Sequence, residues 1–251
     1  MTDIILSGCF GTMGKAITDA VSKRNDCRIV AGVDITEGTV PYPVYKSFDE
    51  VMTEADVVID FSHPSVLDSL LEYCERSATP AVIATTGLSD IQKQKIKETS
   101  EKVAVFFSAN MSIGINLVAE LAAKTAKILQ GSFDIEIVEA HHNQKIDAPS
   151  GTAYMLADSV NNALDEKARY EYDRHSKSAK REKNEIGIHS IRGGTIVGEH
   201  EIIFAGLDEV IKISHSARSK SLFASGAVNA AVFIKGKEPG LYSMKELIAE
   251  D

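Results

Sequence analysis

Residues 139–153 read Glu-Ala-His-His-Asn-Gln-Lys-Ile-Asp-Ala-Pro-Ser-Gly-Thr-Ala. His141, His142, Lys145 and Asp147 put two imidazoles, an ammonium and a carboxylate on one short segment. A histidine titrates near neutral pH and can serve as acid or base. A lysine can deliver a proton or neutralise a substrate carboxylate. Ser150 is a natural N-cap for the helix to which Leu156, Val160, Ala163 and Leu164 give an apolar face, and Pro149 disfavours helix at Ala148. The backbone N–H groups of Ser150, Gly151 and Thr152 are then expected to point unpaired out of the helix start, as a receptor for a carboxylate, with Gly151 admitting close approach. Residue types alone leave two other readings. The His-His pair is also half of a zinc site, although no third ligand stands at suitable spacing nearby. Lys145 and Asp147 also read as a solvated ion pair.

A second chemical segment opens the chain: Gly8-Cys9-Phe10-Gly11-Thr12-Met13-Gly14. It follows a short apolar run and precedes a helical pattern. Glycines there let the backbone turn tightly and approach a pyrophosphate, while the helix start offers N–H groups and a positive dipole end. Asp34 stands 20 residues beyond Gly14, at the end of the second apolar run. A carboxylate at that distance can accept from both adenosine ribose hydroxyls and repels a 2′-phosphate. Ile35 follows, so no arginine stands beside Asp34 to hold such a phosphate, and NADH is favoured over NADPH, with Lys15 keeping dual use open. Ala84-Thr85-Thr86-Gly87 and Ser108-Ala109-Asn110-Met111 follow two later apolar runs and are expected at the same sheet edge, near ribose and nicotinamide. Their composition fits ordinary turns equally well.

The elements that must hold these segments follow from periodicity. Apolar runs at 4–6, 29–33, 57–59, 81–83 and 103–107 are short, β-branched and unalternating, as strands covered on both faces are. Amphipathic stretches at 15–24, 65–76 and 89–102 lie between them, so the first half reads as an open parallel sheet with flanking helices. The pattern then changes. A long helix is expected over 114–129, with Leu117, Leu121, Ile128 and several alanines on one face. Strands are expected over 134–140, 186–192, 195–205 and 210–217, with a turn at 206–209 closing an antiparallel hairpin. Residues 168–184, charged and poor in core types, read as an exposed excursion. Helical patterns at 223–234 and 243–249 are expected to pack back on the first sheet.

The 251 residues carry a net charge of −9, which gives no electrostatic reason to seek nucleic acid or anionic lipid. Cys9, Cys27 and Cys74 are odd in number and widely spaced, which argues against a disulfide framework or zinc ribbon and suits a reducing cytoplasm. The sequence shows neither a leader pattern nor a run of about 20 apolar residues.

The string E-A-H-H-x-x-K-x-D-A-P-S-G-T-A, with the N-terminal G-x-x-G-x-M-G, resembles the 4-hydroxy-tetrahydrodipicolinate reductase (dihydrodipicolinate reductase) family. The A-T-T-G loop, the S-A-N-M-S-x-G-x-N stretch and residues 192–200 also look like family segments. The resemblance implies an α/β fold: a Rossmann-like doubly wound parallel sheet with a second α+β domain carrying a mostly antiparallel sheet. Residues 1–111 plus 218–251 would form the dinucleotide-binding domain, and 112–217 the substrate-binding and tetramerisation domain. The resemblance further implies a cytoplasmic homotetramer that takes a small dicarboxylate, uses NADH or NADPH and needs no metal. Gly8, Cys9, Phe10, Gly11, Thr12, Met13, Asp34, Ala84, Thr85, Thr86, Ser108, Ala109, Asn110 and Met111 would line the cofactor. His141 would be the acid/base residue and Lys145 the proton donor. His142, Lys145, Gly151 and Thr152 would hold substrate, with Ser150 close by. Hinges near 110–112 and 216–220 would close the site. Many members carry arginine where Thr12 and Ile35 stand, and a small residue where Phe10 stands. Two other readings are another NAD-dependent amino-acid-pathway dehydrogenase and a non-enzymatic NADH sensor. The first, in its thioester-forming form, lacks a well-placed cysteine, and the second lacks a partner-binding module.

Overall fold

The β-branched runs fold as strands and the amphipathic stretches as helices. In chain order they are β1 (Thr2–Ser7), α1 (Thr12–Ser22), β2 (Cys27–Val33), β3 (Val44–Tyr45), β4 (Val57–Asp60), α2 (Leu67–Ser77), β5 (Ala81–Ile83), α3 (Asp90–Ser100), β6 (Ala104–Phe107) and α4 (Ile113–Leu129). Then come β7 (Asp134–His141), α5 (Gly151–Ala163), β8 (Arg169–Glu171), β9 (Glu185–Arg192), β10 (Gly198–Ala205), β11 (Val210–Ala217), α6 (Ser221–Ile234), β12 (Gly240–Tyr242) and α7 (Met244–Ala249). This computed structural model describes residues 1–249. It divides into two units, Met1–Ile113 together with the chain from Lys220, and Gly114–Ser219.

The first unit holds a seven-stranded sheet in the order β12-β6-β5-β4-β1-β2-β3, with every pairing parallel. Alternate residues of the same strands feed two cores. Ile4, Leu6, Val57, Ile59, Val82 and Phe106 meet α1 and α6 on one face. Ile5, Ala31, Val58, Ala81, Ile83 and Val105 meet α2 and α3 on the other. Burial on both faces explains why the strands carry no polar alternation. The strand order reverses between β1 and β4, which opens a crevice at the carboxyl ends of those strands. As expected, α6 packs back on this sheet, through Ala224, Ala227, Val228, Ala231 and Ile234. Strands β3 and β12, unmarked by the sequence pattern, extend its two edges.

The second unit holds a five-stranded sheet in the order β11-β10-β7-β9-β8. The expected second sheet is present, and its pairing is mixed, with more antiparallel than parallel register. β11 and β7 run antiparallel to β10, but β9 runs parallel to β7 and β8 parallel to β9. The cause is α5, which lies between β7 and β9 in the chain and supplies the crossover that parallel neighbours need. The hairpin turn forms as expected, with the Gly206 N–H donating to the Glu209 carbonyl (2.9 Å).

One expectation in this unit is corrected and another gains detail. Helix α4 forms, but it buries Ile115, Val118, Ala119, Ala122 and Ala126, while Leu117, Leu121 and Ile128 are exposed. Small residues let the helix lie close to the sheet, and the larger ones face away. The excursion at 168–184 contains β8 and is pinned by ion pairs: Arg181 reaches Asp134 (2.9 Å) and Glu136 (3.0 Å), and Arg174 reaches Glu185 (2.7 Å).

Candidate functional site

In the first unit, the glycine loop leaves β1 and turns into α1. Gly8 has φ +76°, and a Cβ there would sit 2.7 Å from the Phe61 carbonyl oxygen. A Cβ on Gly14 would lie 2.2 Å from the Gly8 carbonyl oxygen, so the first turn of α1 presses directly on the loop. Gly11 precedes α1 without capping it, since the helix start has no side-chain cap and no acidic residue in its first turn. The dipole end is therefore left for a ligand anion. Loop and helix start thus fit a dinucleotide pyrophosphate.

Asp34 follows β2 beside this loop. Its carboxylate accepts from the N–H of Phe10 (2.9 Å) and of Thr36 (2.8 Å), one bond on each oxygen. Those bonds orient the group and leave lone pairs for two ribose hydroxyls. The Phe10 ring packs over Gly38, where a Cβ would come within 2.4 Å. The Cys9 side chain faces the core, and burial pushes its thiol up to about 11, so only its backbone can serve a ligand at the loop.

A cavity of about 380 Å³ in this unit is lined by Met13, Ala84, Thr85, Thr86, Ala109 and Met111, six of the expected residues. Ser108 and Asn110 complete the turn after β6, the Ser108 hydroxyl donating to the Asn110 carbonyl (2.8 Å). Phe61, Ser62, Lys220 and Phe223 also line the cavity and were not expected. The loop after β4 ends on the same sheet edge as its neighbours, so the carboxyl-end rule could have found Phe61 and Ser62. Lys220 and Phe223 carry no such signal, because only the return of the chain through α6 brings them there. Behind the cavity, buried Asp60 accepts from the hydroxyls of Thr85 (2.6 Å) and Ser62 (2.5 Å) and so ties two of its loops together.

In the second unit, strand register builds the polar cluster. Ile135, Ile137, Glu139 and His141 share one face of β7, the face packed against the helices, so the core gives way to charge at the strand's end. Register sets His200 of β10 beside Glu139, and Arg192 of β9 beside His141. Arg192 donates to both oxygens of Glu139, Nη1 to Oε2 (2.8 Å) and Nη2 to Oε1 (2.7 Å). Oε2 also contacts His141 Nδ1 (2.6 Å). Burial alone would raise the Glu139 carboxyl, but hydrogen bonds from Arg192, Ser190 and His141 outweigh it and hold the group down at about 2.

Ser150 caps α5 as expected, its hydroxyl accepting from the Ala153 N–H (3.1 Å). Its own N–H is not free, which corrects the sequence reading: it donates to Glu139 Oε1 (3.1 Å). The buried acceptor behind the helix start lies 11 residues earlier in the chain, so local capping signals do not reveal it. The Ser150 hydroxyl also meets His200 Nε2 (3.0 Å). Burial, together with nearby His141, pulls His200 down to about 4, so it is neutral at physiological pH. A Cβ on Gly151 would touch nothing within 4 Å, so the helix start is open at that residue. Lys145 pairs with Asp147 (2.8 Å), with the lysine the more sheltered of the two. His142 and Thr152 are half-buried on the same loop and helix start. Glu139, Arg192 and His200 were not picked out as site residues. Among the described residues no group of three or more His, Cys, Asp and Glu side chains has the geometry to hold a metal ion, and no helix is long and apolar enough to cross a membrane. The three cysteines are free and buried, so none is presented as a nucleophile.

Comparison with known proteins agrees with both halves of the chain. Residues 2–111 match the family model described as dihydrodipicolinate reductase, N-terminus, and residues 114–248 match dihydrodipicolinate reductase, C-terminus. The chain is 50% identical to the 4-hydroxy-tetrahydrodipicolinate reductase of Caldanaerobacter subterraneus over 99% of its own length and 98% of the relative's. It is 49% identical to the enzyme of the same name from Clostridium novyi, over the same shares. A solved structure of dipicolinate-bound dihydrodipicolinate reductase from Paenisporosarcina superposes with a TM-score of 0.80 at 25% identity, covering 97% of both chains. This chain belongs to the dihydrodipicolinate reductase family.

Proposed function

We propose that this chain reduces 4-hydroxy-tetrahydrodipicolinate, by way of dihydrodipicolinate, to tetrahydrodipicolinate in lysine and diaminopimelate biosynthesis, with His141 and Lys145 as its catalytic residues. The observation that carries the reading is the seating of His141. It ends β7 bonded to a buried carboxylate, just before the loop that carries Lys145 and leads into the open start of α5. The relatives' shared name supplies the substrate, and the dipicolinate bound to the Paenisporosarcina enzyme supports a cyclic dicarboxylate.

Held by the loop of residues 8–13, NAD(P)H would supply a hydride for C4 of the substrate's conjugated C=C–C=N system. The chain handles the rest. His142, Gly151 and Thr152 hold the substrate, one carboxylate lying at the open helix start, while Ser150 braces that turn from behind. Lys145 exchanges Asp147 for the substrate and delivers the proton at C3. His141 manages the proton balance. Gly8, Cys9, Phe10, Gly11, Thr12 and Met13 cradle the pyrophosphate through their backbone. Asp34 takes the ribose. Ala84, Thr85, Thr86, Ser108, Ala109, Asn110 and Met111 line the nicotinamide side. Asp34 and the absence of arginine at residues 12 and 35 favour NADH. The family resemblance supports a cytoplasmic homotetramer, with nucleotide binding in residues 1–111 plus 218–251 and substrate binding and assembly in residues 112–217.

The test is oxidation of NADH and NADPH by the purified protein with freshly generated substrate. The reading predicts substrate-dependent oxidation with the higher kcat/KM for NADH. No substrate-dependent oxidation of either nucleotide would reject it.

A further inference from the structure

We propose that Glu139, clamped by Arg192, is a positioning residue that fixes the His141 proton on Nδ1 and leaves Nε2, beside Gly198, as the nitrogen that exchanges protons in the reaction. The inference rests on the reading of His141 as the acid/base residue and extends it to the atom that acts.

Three features of the site carry it. Glu139 is fully buried, and Nη1 and Nη2 of Arg192, the N–H of Ser150 and His141 Nδ1 converge on it, with the Ser190 hydroxyl as a further donor. An ionised carboxylate only accepts, so a neutral His141 in this geometry must carry its hydrogen on Nδ1 and keep the Nε2 lone pair bare. The clamp is held from both sides, because register sets β7 against β9 and Arg192 donates to both carboxylate oxygens. Finally, a Cβ on Gly198 would lie 3.1 Å from His141 Nε2, so the hydrogen-only side chain of that residue leaves room around the free nitrogen.

The other groups facing the ring fit the same tautomer. The His200 ring meets it edge-on at 5.2 Å and is neutral, so it neither competes for Glu139 nor adds charge. His215 stands opposite His200 on β11, one strand further from the ring. Of the cations, Arg192 is set beside His141 by register and is taken up by Glu139, and Lys145 is paired with Asp147.

The experiment reads the imidazole nitrogens directly, by long-range 1H–15N spectra of the full-length protein at about pH 9, well above the ordinary histidine range. The His141 signals are identified by their loss in His141→Asn. The proposal predicts a protonated Nδ1 and a bare Nε2 in the wild-type protein, with that preference lost in Glu139→Gln. Steady-state kinetics accompany the spectra. Glu139→Gln should lower kcat about 10- to 100-fold, as supporting residues around a site do, with NADH affinity and dipicolinate affinity unchanged. Gly198→Ala leaves the clamp intact and should lower kcat at an unchanged melting temperature, which keeps the test open if Glu139→Gln folds poorly. A protonated Nε2 in the wild-type protein, or wild-type kcat in folded Glu139→Gln, would overturn the proposal. Wild-type turnover in His141→Asn would instead overturn the reading on which it rests.

Discussion

Arg192 and Glu139 stand 53 residues apart in the chain, yet they meet through two parallel hydrogen bonds of 2.8 and 2.7 Å at the end of the second unit's core. A bidentate pair with one fully buried partner is costly to break from either side, because the remaining charge loses its counterion.

That pair gives stability an acid-sensitive component. The folded protein holds Glu139 at about 2, below its ordinary value of 4.5. The stabilisation is therefore fully present above the ordinary value and is lost as pH falls through about 2. Glu139→Gln should cost about 3 kcal/mol at neutral pH, the low end for a broken buried pair because Arg192 is partly exposed. Urea unfolding of both proteins across the acid range checks the sign. The gap between them should narrow below the ordinary glutamate value, and a gap that stays constant with pH would contradict the linkage.

The glycine loop is predicted to tolerate no added methyl at Gly14. A Cβ there would meet the carbonyl oxygens of Gly8 at 2.2 Å and Cys9 at 2.6 Å, and both belong to backbone. Gly14→Ala should cost about 1–3 kcal/mol and displace the loop, so NADH affinity falls with the melting temperature. Calorimetric titration and thermal unfolding of the same preparation measure both.

Asp34 should discriminate between nucleotides. Its two backbone bonds fix the carboxylate beside the loop. Asp34→Ala removes the ribose acceptor and the repulsion of a 2′-phosphate together. The ratio of NADH to NADPH dissociation constants should therefore rise, by about 10-fold for a lost bond to a charged group. An unchanged ratio would count against ribose recognition by this residue.

Much of this architecture is legible in the residues. The unalternating runs at 57–59 and 81–83 fold as strands buried on both faces, and the glycine loop joins β1 to α1. What escaped reading depends on partners distant in the chain. Gly240–Tyr242 is extended because β6 pairs with it, and three residues carry too little pattern to announce a strand. The periodicity of α4 marks a helix but not its buried side, since both sides carry apolar residues and only contact with the sheet selects the alanines. The chemistry of residues 141–152 was visible because it is contiguous. Its support was not, because Arg192 and His200 reach it through strand register, and the Ser150 N–H was assigned to a ligand without the buried acceptor behind it.

On the proposed reading, the nucleotide loop binds NADH and the His141–Lys145 segment carries the proton chemistry. The most direct test of that division compares kcat and NADH dissociation constants for His141→Ala, Lys145→Ala and the wild-type protein. Turnover should fall about 100-fold or more in each variant, as expected for loss of a proton-transfer group, with NADH binding within about 2-fold of wild type. Wild-type turnover in both variants, or loss of NADH affinity in step with turnover, would contradict it.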